Sequence, residues 1–158
     1  MALELTDLVD GMKQARYFFL KHLKGVKEEQ WDWKPYPECK SLRETLQHLV
    51  SDDRAGLEVF RTGAEPNYDA LQEEERDVEK LLALLERTHK ELCDFVLEKF
   101  ANAPLDTEIF FFAGPTKLGQ ALAMAGGEDS YHMGQVAFIR MATDPGWDYY
   151  TAVYGGEQ

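Results

Sequence analysis

The chain has 158 residues, of which 44% are hydrophobic and 29% charged, and its net charge is −12. This composition excludes a disordered chain and predicts a single domain over residues 1–158 with an apolar core. The acidic balance argues against nucleic-acid binding, which depends on Lys and Arg at phosphates. No apolar run approaches the ~20 residues of a membrane span, and the start lacks a signal-peptide pattern. We therefore expect a cytoplasmic protein with no membrane or nucleic-acid partner.

Four segments show the three-four spacing of apolar residues that is typical of amphipathic helices. The predicted helices cover about residues 5–25, 41–61, 73–100 and 116–141. The second begins with a capping box in which Ser41 and Glu44 satisfy each other's backbone N–H groups, and Gly63 fits its end. The only β-like run is residues 109–112. Helices of these lengths predict an all-α fold, a four-helix bundle.

The two aromatic connectors and the two cysteines point to structural rather than catalytic roles. Residues 30–37 and 144–150 combine aromatic side chains with prolines, so we expect both segments to pack on the bundle. Cys39 and Cys93 form no CxxC motif, and a cytoplasmic chain disfavours a disulfide. We predict a loop thiol at Cys39 and a helix-embedded thiol at Cys93.

Polar residues interrupt the apolar stripe of the fourth predicted helix. The stripe consists of Leu118, Ala121, Ala125, Glu128, His132, Gln135 and Ile139. Glu128 lies one turn before His132 on the same face, so the pair could chelate one cation, and the small alanines predict a hollow beside it. A buried Glu–His hydrogen bond without metal explains the pair equally well. Gly126 and Gly127 cost ~1 kcal/mol each relative to alanine and indicate close approach of another element or a ligand.

Three further histidines compete as partners of this pair. His48, on the second predicted helix, flanks the apolar arc. Asp52 follows it by one turn and is either a partner that supports a metal ligand by hydrogen bonding or a solvated charge. His22 and His89 lie on otherwise apolar stripes, where a core-boundary histidine is the favoured interpretation. Spacing alone leaves the choice among the three open.

Three segments resemble the DinB/YfiT-like family of metalloenzymes. They are residues 31–35, residues 41–49 and residues 114–135, and the last ends in a His-x-Gly-Gln signature. The resemblance implies a bundle of up-down-down-up topology. It also implies a metal bound by three histidines, one from the second helix and a His-x-x-x-His pair from the fourth. His48 and His132 match that pattern, whereas Glu128 stands where the family usually has histidine.

The resemblance thus implies a divalent-metal site formed by His48, Glu128 and His132. Two histidines and a carboxylate suit zinc and non-haem iron, and we expect zinc or nickel first and iron second. Several family members resemble enzymes that use a low-molecular-weight thiol. We therefore predict a thiol-dependent S-transferase or isomerase acting on a small electrophilic molecule, with Gln135 orienting a ligand. The alternatives are a non-catalytic bundle that binds a metal or a small ligand, and a structural homodimer with a metal-free Glu/His pair.

Overall fold

Four long helices dominate the computed structural model, which describes residues 3–155. They are α1 (Leu5–Leu23), α2 (Leu42–Thr62), α4 (Val78–Lys99) and α5 (Leu118–Thr143), and a short helix α3 covers Tyr68–Leu71. Strands β1 (Glu108–Phe111) and β2 (Gly114–Lys117) form an antiparallel hairpin. A 3₁₀ turn covers Glu28–Gln30 and a π-helical turn covers Tyr150–Tyr154. The predicted all-α fold is confirmed. No helix of the described part of the chain is both long and apolar enough to cross a membrane.

Helices α1 and α5 run parallel and pack against each other over most of their length. Met12 lies against Gly126 near the middle of the pair, and Arg140 donates a hydrogen bond to the carbonyl of His22 near its end. A Cβ atom at Gly126 would lie 3.2 Å from Met12 Cγ, so the close approach that this glycine predicts is present. A Cβ atom built at Gly127 has no atom of residues 3–155 within 4 Å, apart from the backbone of its own helix. No other element of the described chain therefore approaches Gly127 closely, contrary to expectation.

Helices α2 and α4 are also parallel, and α2 is antiparallel to α5. Asp53 bonds to Thr88 in the middle of the α2–α4 pair, and Phe60 packs on Phe100 near its end. Across the bundle, the ring of His48 faces that of His132, one turn from a cavity that α2 and α5 line together. The order is therefore up-down-down-up, as the family resemblance implies.

Two helix starts differ from the predicted ones. Helix α4 begins at Val78 rather than near residue 73, because the side chain of Asp77 caps it by accepting the N–H of Lys80. Helix α5 begins at Leu118 rather than at residue 116, because residues 114–117 pair with β1. The β-like run at 109–112 thus forms a strand over its first three residues.

The core consists of two apolar clusters separated by a buried polar layer. The first cluster includes Val9, Phe60, Leu92, Val96, Phe111 and Leu122, and the second includes Phe19, Leu46, Leu49, Leu81, Leu85 and Ile139. Each long helix contributes side chains to both clusters. Each one also crosses the polar layer at one level of the bundle, so that layer lies where all four helices meet.

The C-terminal segment docks on α1, as its aromatic composition predicts. Val153 is buried, and its carbonyl accepts a hydrogen bond from Lys21. Trp147 and Tyr149 pack their rings near that of His22. His22 is therefore a core histidine beneath the tail, with its Nδ1 2.7 Å from the carbonyl of Phe18.

Candidate metal centre

The polar layer is organised around Arg16 of α1. Its guanidinium donates two hydrogen bonds of 3.1 Å to the carboxylate of Asp53 and one of 2.7 Å to Asp129. A further bond of 2.9 Å goes to the carbonyl of Leu85. All three charged side chains are nearly inaccessible to solvent. Burying these charges is tolerable only because each is paired, so the layer ties α1, α2, α4 and α5 together.

Helix α4 completes this layer from the opposite side. The hydroxyl of Thr88 donates a hydrogen bond of 2.8 Å to Asp53, and Nδ1 of His89 lies 3.4 Å from the same carboxylate. Burial acts to raise the pKa of Asp53, but the bonds from His89 and Arg16 outweigh it and hold that pKa below its ordinary value. Asp53 is therefore a buried, ionised acceptor, which accounts for its position near the centre of the apolar arc of α2.

Sequence reasoning missed Arg16 and Asp129. A signal was present, because Arg16 lies at three-four spacing between Met12 and Phe19 on the apolar stripe of α1. Only the fold shows that Asp129 and Asp53 reach the same guanidinium.

The structure brings His48, Glu128 and His132 together beside this layer. Each offers one ligand atom, and the three atoms lie within 4.8 Å of one another. Nε2 of His132 is 3.6 Å from a carboxylate oxygen of Glu128, and the two imidazole rings are 4.8 Å apart at their centroids. His132 is buried and the side chain of Glu128 is 46% exposed. The group therefore joins α2 to α5 and opens toward solvent on the Glu128 side.

Gln135 fixes the orientation of His132. Its side-chain oxygen lies 2.8 Å from Nδ1 of His132, one turn further along α5. An amide oxygen only accepts hydrogen bonds, so Nδ1 carries the proton and Nε2 keeps its lone pair. That lone pair is on the nitrogen nearest Glu128. Gln135 thus orients His132, one of the three candidate metal ligands, through a hydrogen bond within α5.

Both imidazoles are suited to donate a lone pair at neutral pH. Burial lowers the pKa of His48 to about 4, with further lowering by the neighbouring charges of His132 and Lys40. Burial also lowers the pKa of His132, against the opposing effects of Gln135 and Glu128. Metal ligands must be deprotonated before they bind. Two neutral imidazole nitrogens and one carboxylate oxygen that face one another fit a divalent transition-metal ion.

A cavity of about 340 Å³ meets the candidate centre at Glu128, the one of the three side chains that lines it. Its apolar wall includes Met12, Leu92, Phe111, Phe112, Met124 and Ala125, and its acidic wall includes Asp52 and Glu128. Tyr68 of α3 stacks on Phe112, with ring centroids 6.4 Å apart and planes 15° apart. Ala125 borders the cavity, as the predicted hollow requires, whereas Ala121 is buried in the first apolar cluster. The aromatic wall was not predicted, because the hairpin and the α2–α4 connector supply it.

Asp52 faces this cavity rather than a candidate ligand. Among residues 3–155 it forms no hydrogen bond to His48, Glu128 or His132, so its support of a metal ligand stays a prediction. Burial raises the pKa of Asp52 to about 7, and the nearby charge of Glu128 adds to the effect. Asp52 therefore exchanges a proton near neutral pH at the wall of the cavity.

We expect Asp52→Asn to stabilise the metal-free protein, increasingly so as the pH rises from 4 to 8. The folded pKa of about 7 exceeds the ordinary value of 3.8, so the folded state binds the proton more tightly than the unfolded chain. The free energy of unfolding of the wild type therefore falls as the pH rises from 3.8 to about 7, and it is constant above pH 7. Allowing for partial solvent exposure, the gain at pH 8 is roughly 2 kcal/mol. Urea unfolding at both pH values measures it, and a gain that is equal at pH 4 and pH 8 would contradict the assignment.

The remaining predicted candidates lie elsewhere. His89 belongs to the polar layer, and His22 lies under the C-terminal tail. Cys93 is buried in α4 with its sulfur 3.6 Å from Nε2 of His89, and burial raises the pKa of its thiol to about 11. Cys39 is a partly exposed thiol in the loop before α2. These positions agree with the interpretation of His89 and His22 as core or boundary residues and with both thiol predictions.

The fold and the site together define a helical bundle with a candidate His/Glu/His metal centre between its second and last long helices. A family model described as the DinB superfamily matches residues 12–136. The chain belongs to the DinB superfamily, and the resemblance seen in its sequence is confirmed. The matched region contains Arg16 and all three candidate ligands. No curated protein and no solved structure was found to match the chain.

Proposed function

We propose that the protein is a metal-dependent enzyme in which His48, Glu128 and His132 hold one divalent ion. The observation that carries the proposal is the convergence of three ligand atoms within 4.8 Å of one another, one of them from Glu128, which lines a 340 Å³ cavity. Three protein ligands leave a coordination position open, as in catalytic rather than structural sites. Zinc or nickel is our first expectation for the ion, and iron is the second. Membership of the DinB superfamily supports the same assignment.

The chemistry we propose is transfer or isomerisation that depends on a low-molecular-weight thiol. A bound ion would supply a lowered pKa to a thiol or a water molecule and so favour the nucleophilic form. Asp52, with its pKa of about 7, would exchange a proton with the reacting molecule near neutral pH. Phe112 and Tyr68 would cover the apolar part of a small electrophilic substrate and exclude water from it. His132 would stay in place through its bond to Gln135.

A reconstitution experiment tests the proposal. Purified protein is stripped with a chelator, reloaded separately with zinc, nickel or ferrous iron, and screened with glutathione-like thiols against small electrophiles. We expect one equivalent of metal per chain and turnover only after reloading. No metal uptake would overturn the site, and equal turnover in stripped and reloaded protein would overturn its role. Metal uptake without turnover would favour the alternative, a non-catalytic bundle that binds a metal.

A further inference from the structure

The outer face of α5 differs from every other exposed helix face of comparable length in the bundle. None of the exposed residues of α5 is charged, although 29% of the chain is charged. On α4, by contrast, every exposed residue except Ala83 is charged. Among the described residues, the neighbours of α5 lie on its inner side only, although an exposed face that lacks charge and carries large apolar side chains is typical of a contact surface. The sequence of α5 thus fits a helix that is covered on both sides.

Six exposed residues of α5 form a regular stripe. They are Met124, Gly127, Tyr131, Gly134, Phe138 and Met141, which follow one another at spacings of three and four. The four large side chains are 53–64% exposed. No atom of the described residues lies within 4 Å of a Cβ built on Gly127 or Gly134, so packing within the chain does not explain either glycine. Each costs ~1 kcal/mol relative to alanine in a helix, and such small residues allow a second helix to approach closely.

We propose that this stripe is the interface of a homodimer in which the α5 helices of two copies pack antiparallel. The stripe is self-complementary, because its two glycines alternate with large side chains and a methionine lies at each end. An antiparallel pair places Tyr131 of each copy on Gly134 of the other and Phe138 on Gly127, with Met124 beside Met141 at both ends. A parallel pair would set large side chains against each other and glycines against glycines. Such self-complementarity identifies a second copy of this chain as the partner.

The area and charge of the face agree with this partner. Four large side chains, each more than half exposed, would bury roughly 100 Å² apiece, or about 800 Å² in the pair. The smaller residues between them bring the total buried area to about 1,000 Å², which is what a specific interface needs. Each copy carries a net charge of −12, so most of its surface repels a second copy. The stripe itself avoids this cost because none of its six residues carries a charge.

The dimer would also complete the surroundings of the cavity. Met124 belongs to the stripe and also lines the cavity, and Gly127 and Tyr131 directly precede Glu128 and His132. The second copy would therefore lie against the mouth of the cavity. The inference does not depend on a bound metal, so metal-free protein is suitable for the test.

Light scattering coupled to size-exclusion chromatography gives the mass in solution. We expect wild type at twice the monomer mass of 18.1 kDa. Phe138→Glu should give a monomer, whereas Ala83→Glu, which adds the same charge to an exposed position of α4, should remain dimeric. Gly134→Leu adds apolar area but fills the space for Tyr131, so we expect its dissociation constant to rise at least tenfold. A monomeric wild type at about 100 μM, or a dimeric Phe138→Glu, would overturn the proposal, as would tighter association of Gly134→Leu.

The orientation has its own test. Spin labels on single cysteines at Ala123, Ser130 and Ala142, in a Cys39→Ser background, report distances between the two copies. At 1.5 Å per residue, the antiparallel pair separates the labels along the axis by roughly 28 Å at the two outer positions and less than about 10 Å at Ser130. Short distances at all three positions would show a parallel pair and overturn the antiparallel arrangement.

Discussion

Replacing Arg16 with methionine should lower the free energy of unfolding by about 3–5 kcal/mol. The guanidinium is the shared partner of Asp53 and Asp129, and both carboxylates are nearly inaccessible to water. Without it, two buried acids lose their compensating charge, and several kcal/mol of desolvation remain unopposed. Urea unfolding at pH 7 measures the change. The midpoint of thermal unfolding should fall by roughly 10 °C.

The control for this variant is Lys13→Met, which breaks an exposed ion pair with Asp10 on the same helix. An exposed pair contributes little, so we expect a change within about 0.5 kcal/mol. In the double variant Arg16→Met/Asp129→Asn, one unpaired charge is removed as well. It should therefore lose less stability than the two single changes together. If the changes in the free energy of unfolding were strictly additive, or if the Arg16→Met variant were as stable as Lys13→Met, the polar layer would not be a coupled unit.

The polar layer also explains how the bundle holds its candidate ligands in register. Asp53 follows Asp52 on α2, and Asp129 follows Glu128 on α5, so both acids that Arg16 binds adjoin residues of the cavity. One guanidinium that bonds to both helices fixes how far α2 is displaced along α5. That displacement sets the separation of His48 from His132. The stability of the layer and the geometry of the site are therefore linked.

Local patterns predicted most of the fold, and they were wrong where a competing local interaction prevailed. The capping box is present, since Ser41 accepts the N–H of Glu44 and Glu44 accepts that of Ser41. Residues 73–76, three glutamates and an arginine, have helix-forming composition, but the cap at Asp77 sets the later start of α4. Residues 114–117 carry glycine and proline, which disfavour strands, and only their pairing with β1 makes them one. Helical periodicity does not report pairing between strands, even when the two strands are neighbours in the chain.

The candidate site was predictable where it depends on one helix and not where it depends on several. Glu128 and His132 are one turn apart on α5, so their proximity follows from helical geometry alone. His48 required the family resemblance, because spacing within α2 does not show which helix it faces. Arg16 required the fold itself, since its partners come from three other helices. The three-four spacing places Arg16 on the apolar stripe of α1, but it does not show which side chains Arg16 contacts.

Replacing His132 with alanine should lower the affinity for zinc at least 100-fold. His132 is the buried member of the three candidate ligands, and its Nε2 is the nitrogen left free by the bond to Gln135. Competition with a chromophoric chelator measures the dissociation constant, and circular dichroism checks that the variant is folded. Gln135→Leu keeps all three ligand atoms but removes the bond that orients the ring. We expect a loss of about 10- to 100-fold in that variant.

The control is His22→Ala, which removes a buried histidine of α1 that lies beneath the C-terminal tail. Both histidine variants should lose stability, but only His132→Ala should lose zinc affinity. This contrast separates a metal centre from a metal-free Glu128–His132 pair. In a metal-free pair the two variants would differ in stability alone, and zinc would bind wild type and both variants equally weakly. Equal dissociation constants for wild type and His132→Ala would thus remove His132 from the site and, with it, the proposed enzyme.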